Sequence, residues 1–523
     1  MEVTEYVCQD AVGLARLVAD GEVSAAEVES AAREAAAEVA GRVNAVVETW
    51  PSDDAPVPGS SPLAGVPFLV KDIGVAVAGR RTELGSRLAA GLVAPADSFL
   101  TRRLRRAGLV TFGRTATPEL AYSITTEPAL YGPVRNPWDP TRSAGGSSGG
   151  SGAAVAAGVV PLAHATDAAG SLRVPASCNG LFGLKPSRGR VSMGPDADEV
   201  FSGLAVQGGL SRTVRDSAAL LDVIGGPEPG DPYAAPRPDR PYLEEVTRPP
   251  GVLRVGVLAQ AWGGRRTTAP VADALTRTVR LLESLGHRVE ETAVGLGTDW
   301  EGFVRAHARV FTANLTATVD ALAAALGRPV DSSTLEAPTL AAYRYGQEVT
   351  GPGLLAALTV RNTVARSLAE YFGTYDVLLT PTLPELPMPL GAYTEGGEAL
   401  DGAGWIERLL DRSPFTTVCN VAGTPAMSVP VAADAATGLP AGMQFAAGYG
   451  REDLLFRLAG QLERALPAEE QREREEEASD ASSPAGEDFA ERRREFLGPL
   501  LSEAALRCVH GWPRRSSSAR VRT

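Results

Sequence analysis

An α/β fold, in which helices pack around a β-sheet, is predicted by three features of this chain: short β-rich runs, helical stretches that alternate with them, and one complete strand-helix-strand unit. The unit is the clearest of the three. Residues 253–258 form a short apolar run, Val271, Leu275, Val279 and Leu282 recur at helical spacing, Gly286 stops the helix, and residues 287–291 return as a strand.

The other elements follow in order. The first 45 residues read as helices, because Ser24 and Glu27 have capping-box spacing and Val28, Ala31, Ala32, Ala35 and Val39 continue one helical face. β-rich runs come next at 66–70 and 109–112, and a glycine-rich loop over 144–152 opens an apolar helix over 153–160. From Trp300 to Phe372 the pattern is mostly helical, broken near Pro329 and at Gly351-Pro352-Gly353. Strands are predicted at 377–380, 427–429 and 443–445, and an amphipathic helix closes the core over 453–466. After Pro467 glutamates interleave with arginines, then Ser, Pro and Gly, and a basic run fills 514–522. Residues 467–523 therefore read as a charged, flexible tail carrying one helix around 489–501, beside a core over 1–466.

A hydrophobic content of 44% with 22% charged residues is ordinary for a soluble globular chain, and 56 glycines and 39 prolines imply many tight loops. The net charge of −13 argues against partners that need a basic face, nucleic acid or an anionic membrane, and points to a small neutral or cationic substrate. Cys8, Cys178, Cys419 and Cys508 are scattered, so neither a disulfide framework nor a zinc site is indicated and a reducing compartment is expected. Residues 1–10 lack the basic start and apolar middle of a signal peptide, and no apolar run reaches membrane-spanning length; the expected location is the cytoplasm.

The run Gly145-Gly146-Ser147-Ser148-Gly149-Gly150-Ser151-Gly152 admits three chemical readings. As a phosphate loop it lacks the Gly-Lys-Ser/Thr ending. As a nucleophile elbow, Gly145 to Gly149 satisfies G-x-S-x-G, yet none of His164, His287, His307 and His510 sits in a suitable late strand-loop context. The third reading takes in residues 141–190, TRSAGGSSGGSGAAVAAGVVPLAHATDAAGSLRVPASCNGLFGLKPSRGR, which resemble the signature of the amidase signature family of serine hydrolases. Leu63-Ala64-Gly65-Val66-Pro67-Phe68-Leu69-Val70-Lys71-Asp72 resembles that family's lysine motif, and Pro137-Trp138, Gly423-Thr424-Pro425 and Leu439-Pro440-Ala441-Gly442-Met443-Gln444 resemble further landmarks, so the likeness spans residues 5–466. Within the family, Ala163-His164-Ala165-Thr166-Asp167 is similar to the branch near the hydrolases of the 6-aminohexanoate cyclic dimer.

The resemblance implies a single large domain, a central mixed β-sheet surrounded by helices, and hydrolysis of a carboxylic amide through an acyl-enzyme. It casts Ser171 as nucleophile, Ser147 as a relay after a cis peptide bond, and Lys71 as the base. Backbone N–H groups of Ala168, Ala169, Gly170 and Ser171 would form the oxyanion hole, with Ser148, Asp167 and Arg173 in support. Lysine is a base only when neutral, which requires burial to lower its pKa. Cys178 and His164 read as core residues rather than reactive groups. No cofactor or metal is implied, the partner is a small-molecule amide, and assembly as a homodimer is left open. Two departures stand out: Ala169 occupies a usual glycine position and Ala144 a common proline position. Two alternatives remain, a glutaminase resembling the A-type component of glutamyl-tRNA amidotransferase and a catalytically silent binding protein on the same fold.

Overall fold

The computed structural model describes residues 1–52 and 61–479, with side chains as far as Leu466. The helical start is as predicted. Its longest member, α1 (Ala25–Val43), opens on a full capping box between Ser24 and Glu27, and it buries Val28, Ala31, Ala32, Ala35 and Val39 along one face.

Eleven strands build one mixed sheet. In chain order they are β1 (Val46–Thr49), β2 (Pro67–Lys71), β3 (Val110–Thr115), β4 (Leu162–Asp167), β5 (Phe182–Lys185), β6 (Val206–Ser211), β7 (Arg254–Val257), β8 (Arg288–Glu291), β9 (Val377–Pro381), β10 (Ala426–Ala433) and β11 (Pro440–Ala447). Across the sheet the order is β1-β3-β2-β4-β6-β5-β10-β11-β9-β7-β8. Strands from the first 211 residues thus fill one side and strands from residue 254 onward fill the other. The two sides meet where β5 pairs antiparallel with β10, Lys185 opposite Ala426 and Gly183 opposite Ser428. β2 lies between β3 and β4, parallel to both, and all five of its residues are buried, as a central strand covered on both faces requires.

Helix α2 (Gly149–Ala156) begins inside the glycine run, four residues earlier than the apolar pattern suggested. The glycines are there for proximity: a Cβ on Gly150 would lie 2.5 Å from the backbone N and O of Ala116. α3 (Arg173–Asn179) follows β4, α4 (Ala269–Ser284) joins β7 to the parallel β8 as predicted, and α5 (Trp300–Leu326) and α6 (Gly351–Tyr371) supply most of the helical stretch. α7 (Thr417–Ala422) precedes β10. The last helix, α8 (Glu452–Ser479), does not stop at Leu466 but runs on through Pro467. The helix expected around 489–501 lies outside the described residues.

Among the described residues two large apolar cores result, beside a small cluster of Val174, Cys178 and Leu383. One joins the sheet to α1, α4 and α8; the other packs α5 and α6 against Tyr122, Ala169, Ala426 and Ala446, and so against the loops that carry the site. Among the described residues no helix is long and apolar enough to cross a membrane. Cys178 and Cys419 are buried free thiols, whereas Cys8 is disulfide-bonded, contrary to the expectation from spacing. The cysteine pattern therefore gives no support to a reducing compartment.

Candidate active site

β2 delivers Lys71 to the middle of the sheet, where its side chain is 1% exposed. Its Nζ lies 2.7 Å from Ser147 Oγ and 2.8 Å from Thr166 Oγ1. Burial pushes its pKa down to about 7, opposed by the charge of Asp167. Asp72, next in the chain, does not pair with Lys71. It accepts from the backbone N–H groups of Glu83 and Gly85 and from the buried guanidinium of Arg114, which pins the end of β2 and leaves the lysine without an adjacent anion.

The peptide bond between Gly146 and Ser147 is cis. Ser147 is fully buried, and its carbonyl accepts from Thr117 Oγ1. Ser148 immediately precedes α2, accepts from Thr166 N at 3.3 Å, donates to Thr166 O at 3.2 Å, and its N–H donates to the carbonyl of Ser171. Two chain segments are tied there, the loop of Ser147 and the loop of Ser171.

Asp167 ends β4 and organises the turn that follows. Its carboxylate accepts from Gly170 N at 2.7 Å, Arg173 Nε at 2.9 Å and Asn420 Nδ2 at 2.9 Å, with longer bonds from the N–H groups of Leu172 and Arg173. Burial opposes ionisation of Asp167, but Arg173 and these donors outweigh it and hold the carboxyl below its usual range. Arg173 also reaches Gln444 Oε1, Asn420 Oδ1 and the carbonyl of Thr416, so the pair is locked to the far half of the sheet. Thr416 and Thr417 both donate to the carbonyl of Ala169, fixing the plane of the following peptide.

This turn corrects one expected donor. The N–H of Gly170 is directed at Asp167 Oδ1 and is engaged there, because the tight turn from Asp167 folds it back onto the carboxylate. The N–H groups of Ala168, Ala169 and Ser171 have no acceptor among the described residues. Ala169 fits without displacing anything; it is 6% exposed and belongs to the second core. Ala144 is fully buried, with its carbonyl accepting from Asn179 Nδ2 at 2.7 Å.

Ser147, Thr166, Ala168, Ala169 and Ser171 line one cavity that opens partly to solvent. The rest of its lining is apolar or weakly polar, including Ile124, Met193, Val200, Phe201, Phe311 and Leu409, and no charged side chain lines it. Phe201 and Phe311 stack with centroids 4.6 Å apart, and Tyr122 flanks both. Phe201 and Ser202 hold left-handed backbone angles, φ of 52° and 54°, which cost a residue with a Cβ about 1–2 kcal/mol each and turn this segment against the cavity. Lys71 Nζ is thus bonded to Ser147 Oγ, whereas the Ser171 hydroxyl forms no hydrogen bond to Ser147 among the described residues.

His164 and Cys178 are core residues, as expected. His164 accepts from Lys71 N, pairs with Gln207 Oε1 at 2.9 Å and is pushed down to about 3 by burial, while burial raises the Cys178 thiol to about 12. Thr416, Thr417 and Asn420 were not foreseen. Gln444 falls in a landmark motif that gave no role for it, and only its contact with Arg173 supplies one.

Residues 28–456 match the family described as Amidase. The chain is 38% identical over 479 residues to the 6-aminohexanoate-cyclic-dimer hydrolase of Paenarthrobacter ureafaciens, covering 88% of this chain and 95% of that protein. It is 35% identical over 423 residues to the A-type component of the glutamyl-tRNA(Gln) amidotransferase of Deinococcus radiodurans, covering 77% of this chain and 84% of that one. A solved 6-aminohexanoate cyclic dimer hydrolase complexed with substrate superposes with a TM-score of 0.81 at 36% identity, covering 88% of this chain and 98% of the other.

Proposed function

Because this chain belongs to the amidase family and is a hydrolase of amide bonds, we propose that it acts through Ser171, Ser147 and Lys71 on an uncharged amide. The contact that carries this reading is Lys71 Nζ at 2.7 Å from Ser147 Oγ, buried beside the cavity that Ser171 lines. A lysine pushed down to about 7 is substantially neutral at neutral pH, so its lone pair can take the Ser147 proton while Ser147 takes that of Ser171. Ser171 Oγ then bonds to the amide carbon. The N–H groups of Ala168, Ala169 and Ser171 face the negative oxygen that forms. Return of the proton through Ser147 to the leaving nitrogen breaks the C–N bond and leaves an acyl group on Ser171. Water, deprotonated by the same relay, releases the carboxylate.

The cavity lining favours an uncharged substrate over glutamine. With no charged side chain there, nothing would pair with the ammonium and carboxylate of an amino acid. A compound such as the cyclic dimer of 6-aminohexanoate, named in a relative, is neutral and compatible. All three reacting side chains are present, which also argues against a silent binding protein. A fluorophosphonate probe followed by peptide mass spectrometry should place the adduct on Ser171; an adduct on Ser147 sinks this assignment. Ammonia released from glutamine faster than amine from neutral amides would favour the amidotransferase-like reading. A cytoplasmic location and a homodimer are the finer parts of the proposal, to be tested by fractionation and by sedimentation.

A further inference from the structure

Behind the aromatic wall of the catalytic cavity lies a second, half-open pocket, whose lining includes Leu204, Phe303, His307, Val310, Ala357 and Arg361. Two polar groups interrupt its apolar surface. His307, on α5, is 3% exposed and its Nε2 has no hydrogen-bond partner. Burial pushes the ring down to about 3, so it is neutral and carries one N–H that no protein acceptor fixes. Arg361, on α6, donates to the carbonyl of Ser202 and, among the described residues, meets no carboxylate.

A guanidinium without an anion and an imidazole N–H without an acceptor, set among apolar side chains, make a particular donor set. An uncharged ligand would leave the cation unpaired; a ligand that is all charge would waste the apolar walls. A carboxylate on a hydrophobic body satisfies both, with its oxygens on Arg361 and within the imidazole's reach, and its body against Phe303, Val310 and Ala357. We propose that this cavity is a binding site for a hydrophobic monocarboxylate, separate from the catalytic cavity.

The ligand class coincides with the acid released by amide hydrolysis, so the site would sense product. A physical link exists. The His307 ring lies 4.1 Å from that of Phe311, Phe311 stacks on Phe201, and both phenylalanines line the catalytic cavity. Arg361 holds the carbonyl of Ser202, the residue after Phe201, in its left-handed turn. A carboxylate drawing on that guanidinium would loosen the turn and alter the aromatic wall.

Calorimetric titration of the full chain with benzoate and with benzyl alcohol tests this. Benzoate should bind at least tenfold more tightly than benzyl alcohol, and it should inhibit hydrolysis of a neutral amide with a noncompetitive component. Ala357→Leu, which fills the cavity at a residue away from the catalytic lining, should weaken benzoate at least tenfold and abolish that component, with kcat for the amide unchanged. His307→Phe, which keeps the ring stack, should weaken benzoate as well and stands in if Ala357→Leu does not fold. Purely competitive inhibition unaffected by either variant, absence of benzoate binding, or benzyl alcohol binding as tightly as benzoate would overturn the proposal.

Discussion

Two lysines, Lys71 and Lys185, lie fully buried in the sheet, and burial pushes both down to about 7. They differ in what they touch. Lys71 Nζ meets the hydroxyls of Ser147 and Thr166, whereas Lys185 Nζ meets the carbonyl of Pro186. A fall from 10.5 to about 7 corresponds to roughly 5 kcal/mol against the charged form, by 1.36 kcal/mol per unit. In the proposed mechanism the neutral amine of Lys71 is the base, so kcat/KM should rise with pH through an apparent pKa near 7; Lys185→Met should keep that limb if Lys71 is its origin, and its loss would assign the limb to Lys185. Lys71→Ala should lower amide turnover by about 10²–10⁴-fold. An ester with the same acyl group should lose less, because an alkoxide or phenoxide leaves with little help from a proton. Equal losses for a matched anilide and phenyl ester would remove Lys71 from leaving-group protonation. The residues proposed to react, Lys71, Ser147 and Ser171, were legible because each sits in a contiguous motif. Thr416 and Asn420 were not, since their hydrogen bonds to Ala169 and Asp167 join positions more than 240 residues apart and no local pattern encodes such a meeting.

At the level of elements, α2 shows where local rules lose to packing. Glycine is a poor helix former, so the run over 144–152 reads as a loop, yet the helix begins at Gly149 because only glycine lets it lie against the strand-end backbone of Ala116 and Ala45. A helical glycine replaced by alanine ordinarily gains about 0.5–1 kcal/mol. Gly150→Ala should instead lose about 1–3 kcal/mol, since the new Cβ would lie 2.5 Å from Ala116 N and O and 2.8 Å from Ala45 O, backbone atoms that cannot swing away. Gly41→Ala, in α1 with nothing within 4 Å, supplies the contrast and should stabilise. Urea midpoints of the two variants moving in the same direction would refute this account. Strand and helix types were legible elsewhere because periodicity and capping residues are local signals, as at Ser24 and Glu27.

Over the whole molecule, the alternation of strands and helices announced an α/β sheet, but strand order could not be read, because pairings such as Gly183 with Ser428 depend on the packed whole. The boundary of the core at Leu466 stays a proposal, since α8 continues to Ser479. Leu466 is the last described side chain and is 4% exposed, so a chain ending there retains both apolar cores. Compared in reducing buffer, it should keep its amidase activity and melt within a few degrees of the full chain; insolubility would show that the core extends further. The division of the sheet into an early and a late half makes this enzyme a natural candidate for cutting in two. The exposed connection near Gly230 offers the place for the cut. A fragment ending there would carry Lys71, Ser147 and Ser171 yet lack the threonines and Asn420 that hold the turn after Asp167, while its complement would carry those supports and none of the three residues proposed to react. Neither piece should turn over substrate by itself, and mixing them should restore activity at a rate set by fragment concentration, which would turn the seam between β5 and β10 into a reporter of whatever brings the two fragments together.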